Sequence, residues 1–505
     1  MSNCVKNRNR LAFSTIKVAS KVISALVVLL LLQTSCKKLV EVPAPTSSLT
    51  SDNVYKNDNT AASVFTGIYT EISSSPLLYG SSINSVSIVA GLSADELVLF
   101  GGAANSNVNL GQYYINKISP GNTVSPGLAI WTSIYRDLYT VNLALERLEA
   151  SSALTPAIRQ QLIGEGKFLR AFFYFYLVNL YGDLPLVLSS DYRINQNLKR
   201  TNQDSVYGQI INDLKEAKNL LIDRFVSADA KTPSIERLRP TRWAANALLA
   251  RAYLYKKDWL HAEQEASTVI NNSGLFGLDS LNGVFLKNSR ESIWQLQPVN
   301  SGWNTEDARV FILPSSGPTS NSSSSGYPVY LSDHVFNAFE SNDQRKTNWV
   351  KSVTVTSSSG TGVYRFPFKY KSAKLNSPVT EYETVLRLAE QYLIRAEARA
   401  NGAGTGLGGA IADLSSIRTR AGLSIYNGPA NKDSVLNAIY HERQVELFSE
   451  WGHRWMDLKR TNKVDEVMAA ISVEKATSWN SNFQWYPIPL FDIVQNPNLI
   501  QNAGY

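Results

Sequence analysis

The sequence predicts a mainly α fold in which helix pairs stack into a tetratricopeptide-like superhelix, with long irregular loops and small β-hairpins between them. Three observations carry this. An aliphatic-Arg-Ala core recurs in long helix-patterned segments, at Leu169-Arg170-Ala171, Ala250-Arg251-Ala252 and Ile394-Arg395-Ala396. The second copy, LLARAYLYKKDWLHAEQEASTVI, sets small Ala250 and large Tyr253 on one helix, turns at 256–258, and continues with Ala262, Ala266 and Ile270. Small-against-large alternation of this kind lets antiparallel helices interlock and stack. Finally, 91–116 and 298–330 mix Gly, Ser, Asn and Pro with isolated aromatics, and irregular stretches of that length are usually functional or disordered.

The N-terminus reads as a leader. Residues 1–35 contain no acid and carry Lys6, Arg8, Arg10, Lys17 and Lys21 around the start of an apolar run at 22–32. A basic segment followed by a short apolar one is a secretory signal, too short to span a bilayer comfortably. The run ends in Gln33-Thr34-Ser35-Cys36, which resembles a lipoprotein processing site, so Cys36 is expected to become the lipidated first residue. Removing the leader's five basic residues from the chain's 49 leaves 44 against 42 acids. The near-neutral mature chain therefore offers no electrostatic case for a nucleic-acid partner. With Cys4 removed and Cys36 acylated, neither a disulfide nor thiol chemistry is expected. No later segment carries 18 consecutive apolar residues, so the acyl chains alone are expected to hold the protein on a membrane.

Along the mature chain, 36–51 is a Pro-, Ser- and Val-rich tether. Trp131, Ile134, Tyr135, Leu138, Asn142, Leu145 and Leu148 repeat at helical spacing. A second helix starts near Pro156, runs through 167–181 and stops at Gly182. The helix over 204–221 is expected to partner the one over 241–255. In the third repeat copy, 392–417, a glycine turn separates the two helices. Residues 350–370 alternate as a hairpin should, with Gly360 and Gly362 expected at its turn. Domain organisation follows: leader 1–35, tether 36–51, an N-terminal region of helix pairs at 52–290 and a C-terminal region at 291–505.

Catalytic motifs are sparse. His441-Glu442 opens like a zincin motif, but Val445 stands where the second ligand belongs. No Cys/His cluster has metal-ligand spacing, so neither metal nor cofactor is expected. Gly404-Thr405-Gly406-Leu407-Gly408-Gly409 matches a dinucleotide fingerprint formally, yet it follows a helix where the motif requires a strand. Paired carboxylates remain. In HERQVELFSEWGHRWMDLKR (441–460), Glu442, Glu446 and Glu450 recur every four residues beside an apolar stripe of Leu447, Trp451, Trp455 and Leu458. Arginines close in sequence depress a carboxylate pKa, which is wrong for a general acid. The segment reads as a paired-charge clamp locking the last helices to the body.

The same segment, Glu442-Arg443-x-x-Glu446-Leu447-x-x-Glu450-x-Gly452-x-Arg454-Trp455-x-Asp457-Leu458-x-Arg460, resembles the C-terminal signature of the SusD/RagB family of outer-membrane lipoproteins. Segments starting at Arg170-Ala171-Phe172 and at Arg387-Leu388-Ala389-Glu390 are similar to the family's first and third repeat helices. Tyr486-Pro487-Ile488-Pro489 and Asn496-Pro497-Asn498-Leu499 resemble its usual ending. The resemblance implies a SusD-like body of four tetratricopeptide-like helix pairs and no catalysis. It also implies outer-membrane localisation through a lipid anchor, facing the cell exterior, and capture of oligosaccharide or peptide for a SusC-like TonB-dependent barrel transporter. The readings weighed against it are a carboxylate-dependent glycoside hydrolase and a purely structural repeat scaffold.

Glycan recognition needs flat aromatic faces and hydrogen-bonding side chains in a preformed concavity. Candidates are therefore aromatics on irregular segments. Trp303, flanked by Gly302 and polar residues, leads; Phe100, Tyr113, Tyr327 and Tyr330 follow, and Asn304, Asp307 and Arg309 are expected to supply hydrogen bonds. Trp131, Trp243, Trp259, Trp294, Trp451 and Trp455 lie in periodic or strand-like settings and are expected in the core.

Overall fold

Helices begin where something satisfies or removes the free amides of the first turn. A computed structural model describes residues 51–74, 85–105, 108–121, 126–320, 326–358 and 360–505. The leader 1–35, Cys36, the tether up to residue 50 and the loop tip 321–325 lie outside the described residues. The chain divides into two compact units, 1–54 and 55–505. Of the first, 51–54 forms one helical turn; everything that follows belongs to the second.

In chain order, the second unit opens with α1 (Asp58–Ser74), α2 (Val86–Ser93), β1 (Leu97–Leu99), α3 (Val108–Tyr114) and the long α4 (Pro126–Ala150). α5 (Pro156–Tyr181) starts on Pro156, whose missing N–H costs nothing at a first turn, and stops at Gly182 with φ 75°. Asn202 caps α6 (Gln203–Leu220), accepting from the Ser205 amide at 2.8 Å. α7 (Arg242–Tyr255) turns tightly into α8 (Trp259–Ile270), capped by Asp258. β2 (Ser292–Leu296), α9 (Glu306–Phe311) and β3 (Val329–Leu331) come next. The hairpin β4 (Val350–Ser357) and β5 (Gly360–Pro367) precedes β6 (Glu383–Arg387), which runs directly into α10 (Leu388–Ala400). α11 (Gly406–Arg420), α12 (Lys432–Glu446), α13 (His453–Arg460), α14 (Val464–Glu474) and α15 (Leu490–Gln495) complete the body.

The helices stack in sequence order: α5 on α6, α6 on α7, α7 on α8, α8 on α10, and α10 on α11, with α12 against α10 and α11. This is the expected superhelix of helix pairs. One pairing differs from expectation. α6 packs most extensively on α5, and α7 is its second neighbour. The reason is local: Arg170 of α5 forks onto Asp213 of α6 at 2.8 and 2.6 Å, with both groups buried. Arg395 of α10 does the same to Asp413 of α11, at 2.9 and 2.7 Å. Arg251 of α7 reaches instead to Glu390 of α10, with two contacts of 2.6 Å. Each repeat arginine thus ties its own pair or the next one.

Three antiparallel strand pairs matter for the site: β1 with β3, β2 with β6, and β4 with β5. The 91–116 stretch, expected to be irregular, holds the end of α2, β1 and α3; its Gly- and Ser-rich surface hides a fully buried α2. In the hairpin, Gly360 follows the turn and Gly362 lies inside β5 opposite Val355.

The 441–460 segment is not one helix. α12 ends at Glu446, and Ser449, Trp451 and Gly452 take φ of 53°, 47° and 71° before α13 begins. A Cβ on Gly452 would lie 2.7 Å from Val86 and 2.8 Å from Ala90 of α2, so this close approach requires glycine. The break turns Glu450 off the Glu442–Glu446 ridge and into a buried charge network. Arg387 donates to Glu450 at 2.7 Å, to Glu446 at 2.6 Å, to Glu291 at 3.0 Å and to the Glu446 carbonyl at 2.8 Å. Arg345 bridges Glu446 (2.8 Å) and Asp343 (2.8 Å), and lies 2.6 Å from Glu442 as an ion pair without hydrogen-bond alignment. Arg420 contacts Glu291 and Glu446, and Lys369 contacts Glu450. Burial raises the Glu446 carboxyl, but Arg420, Arg387 and Arg345 outweigh it and hold it well below the usual carboxylate range. Leu447, Trp451, Trp455 and Leu458 are all buried, as the stripe requires.

A second buried carboxyl pair behaves oppositely. Asp307 on α9 and Glu383 on β6 are neighbours among Glu306, Lys369, Tyr370 and Glu450. Burial lifts Asp307 to about 7, and burial together with the charge of Asp307 lifts Glu383 well above the usual range. The pair therefore holds a proton in the folded state.

Removing Arg387 strands buried carboxylates, so Arg387→Met is expected to lose roughly 3–5 kcal/mol in urea denaturation. Breaking the exposed Lys463–Glu466 pair by Lys463→Ala is expected to change stability by no more than about 0.5 kcal/mol. Asp307, with a folded value raised to about 7, contributes stability that is complete below its unfolded value near 4 and is lost as pH rises through about 7. Asp307→Asn should flatten the decline of the urea midpoint between about pH 4 and pH 7; equal slopes in both proteins would place its source elsewhere.

Candidate functional site

Trp303 stands on a loop fixed from both sides. Gly302, at φ 80°, accepts at its carbonyl from the Asn376 amide at 2.7 Å. A Cβ there would lie 2.6 Å from Asn376 Oδ1 and 2.9 Å from Leu375, so only glycine lets the two loops meet. On the other side, Asn304 is buried; its Oδ1 accepts from the Thr380 and Glu381 amides at 2.9 and 3.1 Å, and its Nδ2 donates to the Pro378 carbonyl at 3.2 Å. Asn300 donates to the Ser74 carbonyl and to Glu306, and its own carbonyl accepts from the Trp303 amide at 3.1 Å. The loop from residue 300 to 304 is thus stapled to the end of α1 and to the 375–381 segment.

Between these staples Trp303 is half-buried. Trp131, Trp243, Trp294, Trp349, Trp451 and Trp479 each spend the indole N–H on a hydrogen bond. Among the described residues the Trp303 indole has neither a hydrogen bond nor a ring partner. It is a rigidly carried aromatic with a free donor. Of the tryptophans expected in the core, Trp131, Trp294, Trp451 and Trp455 are buried, whereas Trp243 and Trp259 are half-buried on their helices.

Phe100 and Tyr330 come together where β1 pairs with β3. Both rings meet Tyr364 of β5 edge-on, at centroid distances of 5.6 and 5.2 Å. All three are half-buried, which leaves part of each face open. Burial pushes the Tyr330 hydroxyl up to about 12, so it remains a neutral donor and acceptor. Tyr364 was missed as a candidate; its only trace in the sequence is its place in the alternating 350–370 pattern. Tyr327 closes the base of the neighbouring loop, its amide and carbonyl paired with Thr319, and its side chain is half-buried.

Other candidates have their side chains engaged by the body. Tyr113 is completely buried and packs edge-on against Tyr486 at 5.2 Å, so it presents no face. Asn304 has its amide consumed by three backbone groups. Asp307 is buried in the proton-holding pair with Glu383. Arg309 lies along Glu306, with Nε at 3.0 and 3.1 Å from its carboxylate oxygens, and braces α9. These four serve packing rather than an open surface. Among the described residues no group of His, Cys, Asp and Glu has metal-site geometry, and no helix is long and apolar enough to cross a membrane.

The comparisons with known proteins agree with this architecture. Residues 97–254 match a family model described as starch-binding, associating with the outer membrane, and residues 337–505 match the SusD family model. SusD-like protein P2 of Formosa agariphila is 26% identical over 95% of this chain and 98% of its own length. A SusD superfamily protein from Bacteroides vulgatus superposes with a TM-score of 0.72 at 22% identity, over 89% of this chain and 100% of that one. A laminarin binding SusD-like protein superposes with a TM-score of 0.70 at 23% identity, again over 89% and 100%. With both family models in order along the chain and a relative aligned over nearly its full length, the protein belongs to the SusD family.

Proposed function

We propose that the mature protein captures oligosaccharide at its loop surface, without catalysis, and passes it to a SusC-like TonB-dependent barrel transporter. In this reading acylated Cys36 holds it on the outer membrane, facing the cell exterior. The observation that carries the proposal is Trp303, a half-open indole with a free N–H on a loop stapled by Gly302, Asn304 and Asn300. A rigid aromatic face needs little ordering on binding, which is where weak sugar contacts otherwise lose affinity. The Phe100–Tyr330–Tyr364 cluster offers a second set of faces of the same chemistry. Binding of laminarin by a structural neighbour and the starch-binding description of one family model support a glycan over a peptide.

The carboxyl groups argue against the hydrolase reading. Glu446 and Glu450 are buried; against the effect of burial, arginines hold Glu446, and Arg387 with Lys369 holds Glu450, below the usual range. A general acid at neutral pH needs the opposite shift. Asp307 and Glu383 carry that shift, but Asp307 is buried, and half-buried Glu383 accepts from the Tyr370 hydroxyl at 3.3 Å.

Trp303→Ala is expected to weaken binding of a recognised glycan by roughly 30-fold, the size of a central aromatic contact, without altering the thermal melt. Titration calorimetry with laminarin and soluble starch is the measurement, with product analysis of the same mixtures to detect hydrolysis. Unchanged affinity removes Trp303 from the site, and sugar release abolished by Glu446→Gln or Glu450→Gln with an unchanged thermal melt establishes the enzyme.

A further inference from the structure

Next to the Trp303 loop lies a cleft of about 200 Å³ between α1, the 226–239 loop and the end of β2. Its walls are rigid. The buried Arg239 donates to Glu165 at 2.6 Å, to the Ala62 carbonyl at 3.0 Å, to Thr66 Oγ1 at 2.8 Å and to the Ser227 carbonyl at 3.1 Å. It thereby ties α1 and the loop to α5. Tyr69 donates to the same Glu165 at 2.7 Å, and Val226 bridges to Pro233 across the loop. Nothing in this arrangement has to move to keep the cleft open.

The lining combines an apolar surface, from Val226, Leu238, Leu296 and Val299, with a few polar groups. Glu236 accepts from the Tyr382 hydroxyl at 2.9 Å through one carboxylate oxygen. Among the described residues its other oxygen has no partner, and Glu236 has no cation paired to it. Thr70 and Gln297 also line the cleft, are exposed, and have side chains without a hydrogen bond among the described residues. A charged acceptor, an amide and a hydroxyl above an apolar floor match one six-membered sugar ring: C–H face down, hydroxyls toward the polar groups. The volume is below the roughly 300–1,000 Å³ of sites for drug-sized molecules, and suits one ring rather than a chain.

Chain geometry connects this cleft to Trp303. Val299 lines the cleft, and four residues span at most about 14 Å even when fully extended. The turn closed by the Trp303 amide on the Asn300 carbonyl makes the separation shorter. We infer that the cleft is a second glycan subsite, taking one pyranose residue of an oligosaccharide whose neighbouring residues lie on Trp303. This rests on the glycan-capture reading and adds to it. Two tethered contacts on one ligand raise affinity through effective concentration, so a short oligosaccharide binds more tightly than its monosaccharide.

The test uses the full mature protein titrated with laminarihexaose, maltohexaose, cellohexaose, mannohexaose and xylohexaose. Glu236→Ala removes the charged acceptor. Val299→Trp plugs the mouth from a position 40% exposed, where a larger side chain does not disturb the core. Each is expected to weaken the hexasaccharide that binds by about tenfold, the worth of one hydrogen bond to a charged group, with an unchanged melting temperature. Wild-type affinity in both variants, with loss in Trp303→Ala, overturns the cleft subsite and leaves the capture reading standing. Failure of every hexasaccharide to bind the wild type at millimolar concentration overturns both.

Discussion

The structure hangs on the buried guanidinium of Arg387. Taking an arginine out of water costs several kcal/mol unless its donors are met by carboxylates in good geometry. Here they are met by Glu291 before β2, Glu446 at the end of α12, Glu450 in the turn that follows, and the Glu446 carbonyl. None of these groups keeps its partner unless all the segments are in place. The carboxylates in turn need Arg345, Arg420 and Lys369. Such a network contributes less net stability than an apolar core of the same volume, but it penalises any mis-docked arrangement by the full cost of a stranded charge. It therefore specifies how the β2–β6 pair, the hairpin and the last helices are assembled.

The repeat arginines apply the same logic along the superhelix. Arg170 and Arg395 find Asp213 and Asp413 on the helix paired with their own. Aligning α8 with α6 through Ala266 and Ala217 sets Ala262 where those aspartates stand. With no acid there, Arg251 turns to Glu390 of the next pair. One aspartate-to-alanine difference thus converts a bond within a pair into a bond between pairs, joining the regions on either side of residue 291.

Helix periodicity, the repeated arginines and the cap residues were legible because they depend on neighbours three and four positions away. The partner of α6 was not, since it depends on which acid faces which arginine across the stack. Nor was the break after Glu446: Ser449 and Trp451 carry no mark of a left-handed backbone, and only Gly452 hints at the close approach of α2. The site divides along the same line. Trp303 stood out as a candidate because nothing periodic accounts for it. Asn304 and Asp307 looked equally available, but their polar atoms answer needs invisible in sequence. One satisfies backbone amides of the 380–381 segment, and the other is buried beside Glu383, a residue far along the chain. Tyr364 was overlooked because a strand aromatic reads as hairpin packing until β1 and β3 bring Phe100 and Tyr330 beside it.

Rigidity in the body and openness in the loops are one property seen twice. A loop rich in Gly, Ser and Asn has high conformational entropy, and a binding face built on it would lose affinity each time it had to be ordered. In this protein the ordering is completed by the fold: Asn300 is tied to α1, Asn304 to the segment before β6, and Gly302 to Asn376. The segment before β6 leads directly into the strand whose last residue is Arg387. The charge network therefore holds the surface on which Trp303 rests, although it lies too deep to touch a ligand. A substitution in the network that spares folding but loosens β6 would reach recognition through that surface, by releasing the 375–381 segment against which the Trp303 loop is held.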